Sequence, residues 1–312
     1  MKLRRRRFEA TIAEMNHDDA WNKERIPLPA DLHAHTTSSD GRMSGPRLVE
    51  IAAGLGLTAI AIADHNAVSA VPGAQFAAPR WGVEVIAGAE LDANCRDLDC
   101  HIVGLFLDLE RPEFQKGMIA AQNAWRDWAR AVLEETSRAA GLRLGWQDMY
   151  FWGDEPTGGD IVEALRRAGY DGPLAQKGGF QYGPPDVRYI PMPLSPADVC
   201  DLIHRGGGVA ILAHPLDKFV STEFTRPEDF REFLDAGIDG WECWRSGYGP
   251  EQTEYLLRWA KRLGLLPSGG SDIHGPYAPG SEKARRGLEG LGQAMVPDDA
   301  VEALRARAAE YE

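Results

Sequence analysis

The sequence predicts an α/β fold built on a parallel sheet, with a helical insertion. Three observations carry this. From about residue 28 to 109, short apolar runs ending in polar residues alternate with segments of helical spacing. Between about 110 and 195 that rhythm gives way to long helical segments and a Gly- and Pro-rich stretch. From 196 to 312 the alternation resumes and closes on an amphipathic helix. Residues 1–27 read as a peripheral lead-in. A chain of 312 residues can bury a large core, and barrels of this length are often one domain.

The elements follow in order. "PADLHAH" is a short strand. "SGPRLVEIAAGLGL" places Leu48, Ile51, Ala52 and Leu55 at helical spacing, with Ser44 as N-cap and Gly56 near the stop. "TAIAIADHN" is a continuous apolar run, as in a strand buried on both faces. "AVSAVPGAQFAAPRWG" is a weaker helix or a loop, and "VEVIAGAEL" and "CHIVGLFLD" are two more strands. "EFQKGMIAAQNAWRDWARAVLEETSRAAG" reads as one long helix, "TGGDIVEALRRAGYDG" as another, and "KGGFQYGPPDVRYIPMPLSP" as a loop. Pro196, Pro227 and Pro250 each stand just inside a helix start, where a missing N–H costs nothing.

Composition narrows the function. A net charge of −13 argues against a large sequence-independent grip on nucleic acid, which needs Lys and Arg at phosphates. A small anionic substrate remains compatible, because a bound metal reverses the local field. Cys95, Cys100, Cys200 and Cys243 form no CxxC pair, so reduced thiols are expected rather than a zinc ribbon. The basic start "MKLRRRR" precedes charged and polar residues rather than an apolar export segment, and no run of eighteen apolar residues occurs. The expected setting is cytoplasmic, away from membranes.

Metal-ligand residue types gather at strand ends. His33 and His35 follow the first strand, with Asp40 in the next loop; Asp64 and His65 end the second; Glu90 ends the third; His101 begins the fourth; His214 ends "VAILAHP"; Asp272 and His274 follow "LLPSGG". Of the eight histidines only His17 and His204 fall elsewhere. Residues two apart in a strand point the same way, so His33 and His35 can aim two imidazoles at one ion, and Asp272 and His274 can do the same. A carboxylate such as Glu90 can bridge two cations. Imidazole with carboxylate suits Mn, Fe or Zn rather than Mg or Ca alone.

"DLHAHTTSSDG", "ADHN", "GAE", "HIVGLFLD", "LAHP" and "GGSDIHG" resemble the motifs of the polymerase and histidinol phosphatase (PHP) superfamily. Through "IDGWECWRSGYGPEQTEYLLRWAKRLGLLPSGGSDIHGP" the chain is most similar to its stand-alone phosphoesterases. Some of these remove the 3'-phosphate from 3',5'-bisphosphonucleosides, and some trim RNA from the 5' end. The resemblance implies a distorted (β/α)7 barrel with three divalent metal ions at its mouth, Mn being favoured over Fe or Zn. His33, His35, Glu90 and Asp272 would hold one, Glu90, His101 and His214 a second, and Asp40, His65 and His274 a third. Glu90 and Asp64 would serve catalysis, Asp64 by orienting a histidine or a water. Two departures stand out: the family's usual DHD is DHN here, with Asn66, and "TGGDIVEAL" stands where related enzymes often carry Arg-Pro-His.

The expected activity is hydrolysis of a small nucleotide or sugar phosphate by metal-activated hydroxide. The alternatives are a phosphodiesterase, acting on short RNA or a cyclic phosphate, and a noncatalytic metal-stabilised module. Arg245, Lys218, Lys177 and Arg188 are the cations expected to meet substrate, and Trp244, Tyr248 and Tyr182 the aromatics that could stack on a base.

Overall fold

The computed structural model describes residues 30–96, 98–175, 188–216, 230–275, 290–294 and 296–312. Lys177, Tyr182, Lys218 and Pro227 lie outside them.

Seven strands form one sheet in sequence order: β1 (Ala30–Ala34), β2 (Ala59–Ile62), β3 (Glu84–Cys95), β4 (Leu98–Leu105), β5 (Val209–Leu212), β6 (Gly240–Arg245) and β7 (Leu266–Gly270). The sheet nearly closes on itself. His35 N donates to Ile273 O at 3.0 Å, Asp272 N to His33 O at 2.9 Å, and Ser271 N to the buried Asp31 carboxylate at 2.8 Å. β7 comes so close to β1 that a Cβ on Gly270 would lie 2.3 Å from His33 Cβ, so only glycine fits there. The fold is an α/β barrel of the PHP type, as expected from the motifs.

One expectation needs correction. The sheet is mixed, because β4 runs antiparallel to both β3 and β5 while the other pairs are parallel. β3 does not stop at Glu90. It continues to Cys95, the chain reverses near Arg96 (φ +52°), and β4 returns beside it from Leu98. A reversal this tight can join only antiparallel strands. Glu90 therefore sits within β3 rather than at its end, and His101 within β4 rather than at its start, with Glu90 opposite Val103 and Asp92 opposite His101.

Eight helices accompany the sheet, most of them on its outer face: α1 (Gly45–Gly54), α2 (Ala70–Trp81), α3 (Pro112–Ala139), α4 (Gly158–Arg167), α5 (Pro196–Arg205), α6 (Arg231–Ala236), α7 (Pro250–Leu263) and α8 (Asp298–Ala308), counted among the described residues. Ser44 is the N-cap residue of α1, and Pro196 and Pro250 open α5 and α7. The weak segment after β2 is a full helix, α2, stopped by Gly82 in the left-handed region (φ +67°). The period-two pattern of the strands divides the core. Ile60, Ile62, Leu91, Ile102 and Leu212 pack with the outer helices. Ala59, Ala61, Ile86, Val103, Val209 and Ile211 pack with Val301 and Leu304 of α8. A separate apolar cluster joins Trp125, Trp128 and Leu133 of α3 to Met149 and to Ile161 of α4. All four cysteines are free and buried, Cys95, Cys100, Cys200 and Cys243 lying in the outer core. No helix among the described residues is long and apolar enough to cross a membrane.

Candidate metal centre

β1, β3, β4 and the segments after β1, β2, β5 and β7 bring nine side chains to one place. Among the described residues four groups have ligand atoms mutually close enough to share an ion: His33, His35, Glu90 and Asp272; His35, Asp40, His65 and His274; His65, Glu90 and His101; and, on the outer side of His101, Asp92, Asp99 and His101. His214 joins through Glu90, its Nε2 lying 3.1 Å from Glu90 Oε1 beside His101 Nδ1 at 2.9 Å from the same oxygen. His33 on β1 and His35 just past its end lie two apart in the chain, and their Nε2 atoms are 3.1 Å apart.

Glu90 is the hub. Its Oε2 is approached by Nε2 of His33 at 3.2 Å, of His35 at 3.2 Å and of His65 at 3.3 Å. Yet this buried oxygen takes part in no well-formed hydrogen bond. A buried carboxylate oxygen ringed by imidazole nitrogens is stranded unless a cation sits among them. The donor set therefore fits divalent metal ions of the Mn, Fe and Zn kind.

The electrostatics agree. Burial alone would push the His33 and His35 imidazoles down, but it is outweighed. Glu90, Glu242 and Asp272 lift His33 well above its ordinary value, and the carboxylates of Asp272 and Glu90, each 3.2 Å from its Nε2, lift His35 to about 10. Burial opposes ionisation of Glu90, Asp272 and Asp40, yet the surrounding imidazoles hold all three well below the usual carboxylate range. For His214 burial prevails and its imidazole is pushed down. His214 (φ +31°) and Asp272 (φ +53°) have left-handed backbones, which for such residues costs about 1–3 kcal/mol each and is typical of sites where geometry outranks comfort.

Outer carboxylates hold the histidines in place, and sequence reasoning missed them. Glu242 accepts from His33 Nδ1 at 2.7 Å and from the His214 backbone N–H at 2.6 Å. Asp92 lies 3.1 Å from His65 Nδ1 and 3.2 Å from His101 Nε2, and Asp99 is 3.1 Å from the same His101 nitrogen. The signal for Glu242 was a lone carboxylate inside the apolar strand "GWECW", and for Asp92 a second carboxylate two residues past Glu90 on the same face.

Asp64, expected to orient a histidine or a water, meets the loop after β1, and through Ser39 it stands behind His35. Its carboxylate accepts from Thr36 N (2.7 Å), Thr36 Oγ1 (2.7 Å) and Ser39 Oγ (2.6 Å), so it shapes the loop after β1 that carries Asp40 rather than gripping a histidine. It follows β2, the strand paired with β1, so its nearest donors belong to that loop. Arg245 does reach the cluster, donating from Nη2 to Asp272 Oδ2 at 2.6 Å. Arg188 is exposed, and its backbone N–H donates to Glu135 in α3. Tyr248 is occupied as well, its hydroxyl accepting from Leu216 N at 3.1 Å. His204 stays apart, bonded to Asp239 at 2.9 Å and stacked on Tyr311.

A family model described as the PHP domain matches residues 31–151. A 5'-3' exoribonuclease of Haemophilus influenzae is 32% identical over 79% of this chain and 90% of its own length. A 3',5'-nucleoside bisphosphate phosphatase of Chromobacterium violaceum is 25% identical over 81% of this chain and 89% of its own length. A crystal structure from Bifidobacterium adolescentis, described as that of a metal-dependent phosphoesterase, superposes with a TM-score of 0.68. It is 28% identical and covers 89% of this chain and 96% of its own. With this fold and this cluster, the chain belongs to the PHP family of metal-dependent phosphoesterases.

Proposed function

We propose that the protein hydrolyses a phosphate ester at a phosphorylated nucleotide, using three divalent metal ions, Mn being favoured. The observation that carries this reading is the buried Glu90 Oε2 ringed by three imidazole nitrogens. His33, His35, Glu90 and Asp272 would hold one ion, Glu90, His101 and His214 a second, and Asp40, His65 and His274 a third. Divalent cations held there lower the pKa of water and offset charge on phosphoryl oxygens. Glu90 would serve both of the first two sites, its Oε2 lying beside His33 and His35 and its Oε1 beside His101 and His214. Glu242 and Asp92 fix the ring orientations. Asp64 holds the Asp40 loop against β2, and Arg245 orients Asp272 while bringing a guanidinium to the mouth. Among the described residues, those between 110 and 195 make the cap, and those of 28–109 and 196–312 the two halves of the barrel. The four buried thiols support a reducing compartment such as the cytoplasm.

Two substrates compete. The small-molecule reading, removal of the 3'-phosphate from a 3',5'-bisphosphonucleoside, rests on the net charge of −13. The second reading, stepwise 5'-to-3' hydrolysis of short RNA, is favoured by the 32% identity to the Haemophilus influenzae enzyme. The test is catalytic efficiency with Mn(II) on a 3',5'-bisphosphonucleoside and on a 5'-phosphorylated oligoribonucleotide, each at 50 and 200 mM salt. A mild salt response with preference for the bisphosphate supports the first. Preference for the oligonucleotide with a steep salt response supports the second, since each phosphate contact adds to the slope. Failure to release phosphate or nucleotide from either, with the metals bound, would overturn the proposal.

A further inference from the structure

The segment Tyr150–Asp154 exposes two large aromatic side chains side by side. Trp152 is 79% exposed and Tyr150 48% exposed, their rings meeting edge to face at 5.1 Å between centroids. Arg167 of α4 lies over the Tyr150 ring at 5.3 Å. An indole this open gains nothing for folding, since its apolar surface stays in water.

The segment is nonetheless held firmly, and held against the metal centre's own loops. Asp154 N donates to Ser38 O at 2.8 Å, and Ser38 stands two residues before Asp40. The Ser69 hydroxyl bonds both Ser38 Oγ, at 2.8 Å, and the Asp154 carboxylate, so it joins the loops after β1 and β2 to this segment. Gly153 packs so tightly that a Cβ would fall 2.6 Å from Ser38 O and 2.7 Å from Ser39 O. From behind, Trp125 Nε1 donates to Pro156 O at 2.7 Å, and Arg126 pairs with the buried Glu155. An exposed aromatic on a rigid mount at the rim of a metal centre is a preformed binding surface, because its ordering cost is already met in the free protein.

We propose that Trp152, backed by Tyr150, is the platform on which a nucleobase stacks while its phosphate is held at the metal centre. This deepens the reading of the substrate as a nucleotide and rests on it. Any base presents a π-face, so the platform tolerates sequence, as suits an enzyme that takes successive nucleotides or nucleotides of any base. Arg167, itself paired with Glu163 at 3.0 Å, sets a cation over the Tyr150 ring and helps to hold that ring in place.

The test uses the full chain loaded with metal and two probes sharing one sugar–phosphate backbone: a 5'-phosphorylated triadenylate, and the same trinucleotide without bases. Wild type should bind the first more tightly, and Trp152→Ala should lose about 5- to 150-fold of its affinity, the worth of one base–aromatic stack. In that variant the affinity ratio of the two probes should fall towards one. Trp152→Phe keeps a ring face and should restore most of the ratio. An unchanged ratio in Trp152→Ala, or an equal loss on both probes, would overturn the platform. Its failure is distinguishable from failure of the proposed function. Hydrolysis of nucleotides with unaltered preference in Trp152→Ala removes the platform alone. Base-dependent binding through Trp152 without hydrolysis of any nucleotide removes the activity and leaves the platform.

Discussion

Asn66 and Asp92 hold each other in a two-way hydrogen-bonded pair. Asn66 Nδ2 donates to Asp92 Oδ2 at 2.7 Å, and Asp92 N donates to Asn66 Oδ1 at 3.2 Å. The other Asp92 oxygen backs His65 and His101, which we assign to two different metal ions. Asn66 also has a left-handed backbone (φ +50°), which asparagine tolerates well, and its carbonyl accepts from Gln122 of α3. The departure from DHD to DHN thus has a physical use: the amide donates to a carboxylate that an aspartate would repel.

Asn66→Asp should therefore weaken metal binding by about 10- to 100-fold, the usual scale for lost support behind a ligand. Chelator competition measures it. The double variant Asn66→Asp with Asp92→Asn restores one donor to the pair and should recover part of the affinity. Equal affinity in wild type and Asn66→Asp would show that the pair does not tune the site.

Glu90→Gln keeps the shape of the hub and removes its charge. Activity should fall by about a hundredfold or more even at saturating metal, exceeding the 10- to 100-fold scale of outer-shell losses. Turnover near wild type would mean that Glu90 bridges nothing.

Elemental analysis of protein purified with Mn(II) or Fe should approach three ions per chain, and Asp40→Ala or His274→Ala should each remove one. His274 Nε2 lies 3.2 Å from Asp40 Oδ2, so the two should fail together rather than additively. A chain that never holds more than one ion would sink the trinuclear assignment.

Metal uptake should release protons. Although burial opposes it, the nearby carboxylates of Asp272 and Glu90 lift His35 to about 10, so the metal-free chain carries a proton there at neutral pH. That proton's contribution to stability is fully present below the unfolded value of 6.5 and is lost as pH rises through about 10. A cation must displace it, so affinity should climb roughly tenfold per pH unit for each displaced proton. Competition for Zn(II) at pH 7 and pH 8, and calorimetry in buffers of different ionisation heat, check both statements. Affinity independent of pH would show that the imidazoles are neutral before metal arrives.

Arg245→Lys should not be conservative. The guanidinium touches Asp272, so the substitution should lower metal occupancy as well as raise KM for a bisphosphorylated substrate, by about 10-fold in either reading. Position in sequence alone would have left metal content untouched, and it is the 2.6 Å contact with Asp272 that changes the expectation. Normal occupancy and KM would return Arg245 to a purely structural pairing.

The sequence by itself determined the alternation of strands and helices, the long helix α3 and the nine ligand-type residues, Glu90 among them, that the fold gathers into one cluster. These were legible because each depends on local rules: period two aims His33 and His35 together, apolar runs mark buried strands, and proline marks helix starts. What lay beyond it were relations between distant segments. The reversal of β4 depends on a turn at Arg96, since a hydrophobic run reads alike in either direction. Glu242 and Asp92 could be found only through partners in other strands, because a buried carboxylate announces itself by what it touches. Arg245, at a strand end, was legible as reaching the mouth, but its pairing with Asp272 was not. The Trp152 segment was invisible for the same reason: nothing local in "MYFWGDEP" says that Gly153 will press against Ser38 and seat an open indole beside the Asp40 loop. Period and composition act over a few residues, whereas closing a barrel makes neighbours of residues far apart in the chain, and only tertiary packing chooses them.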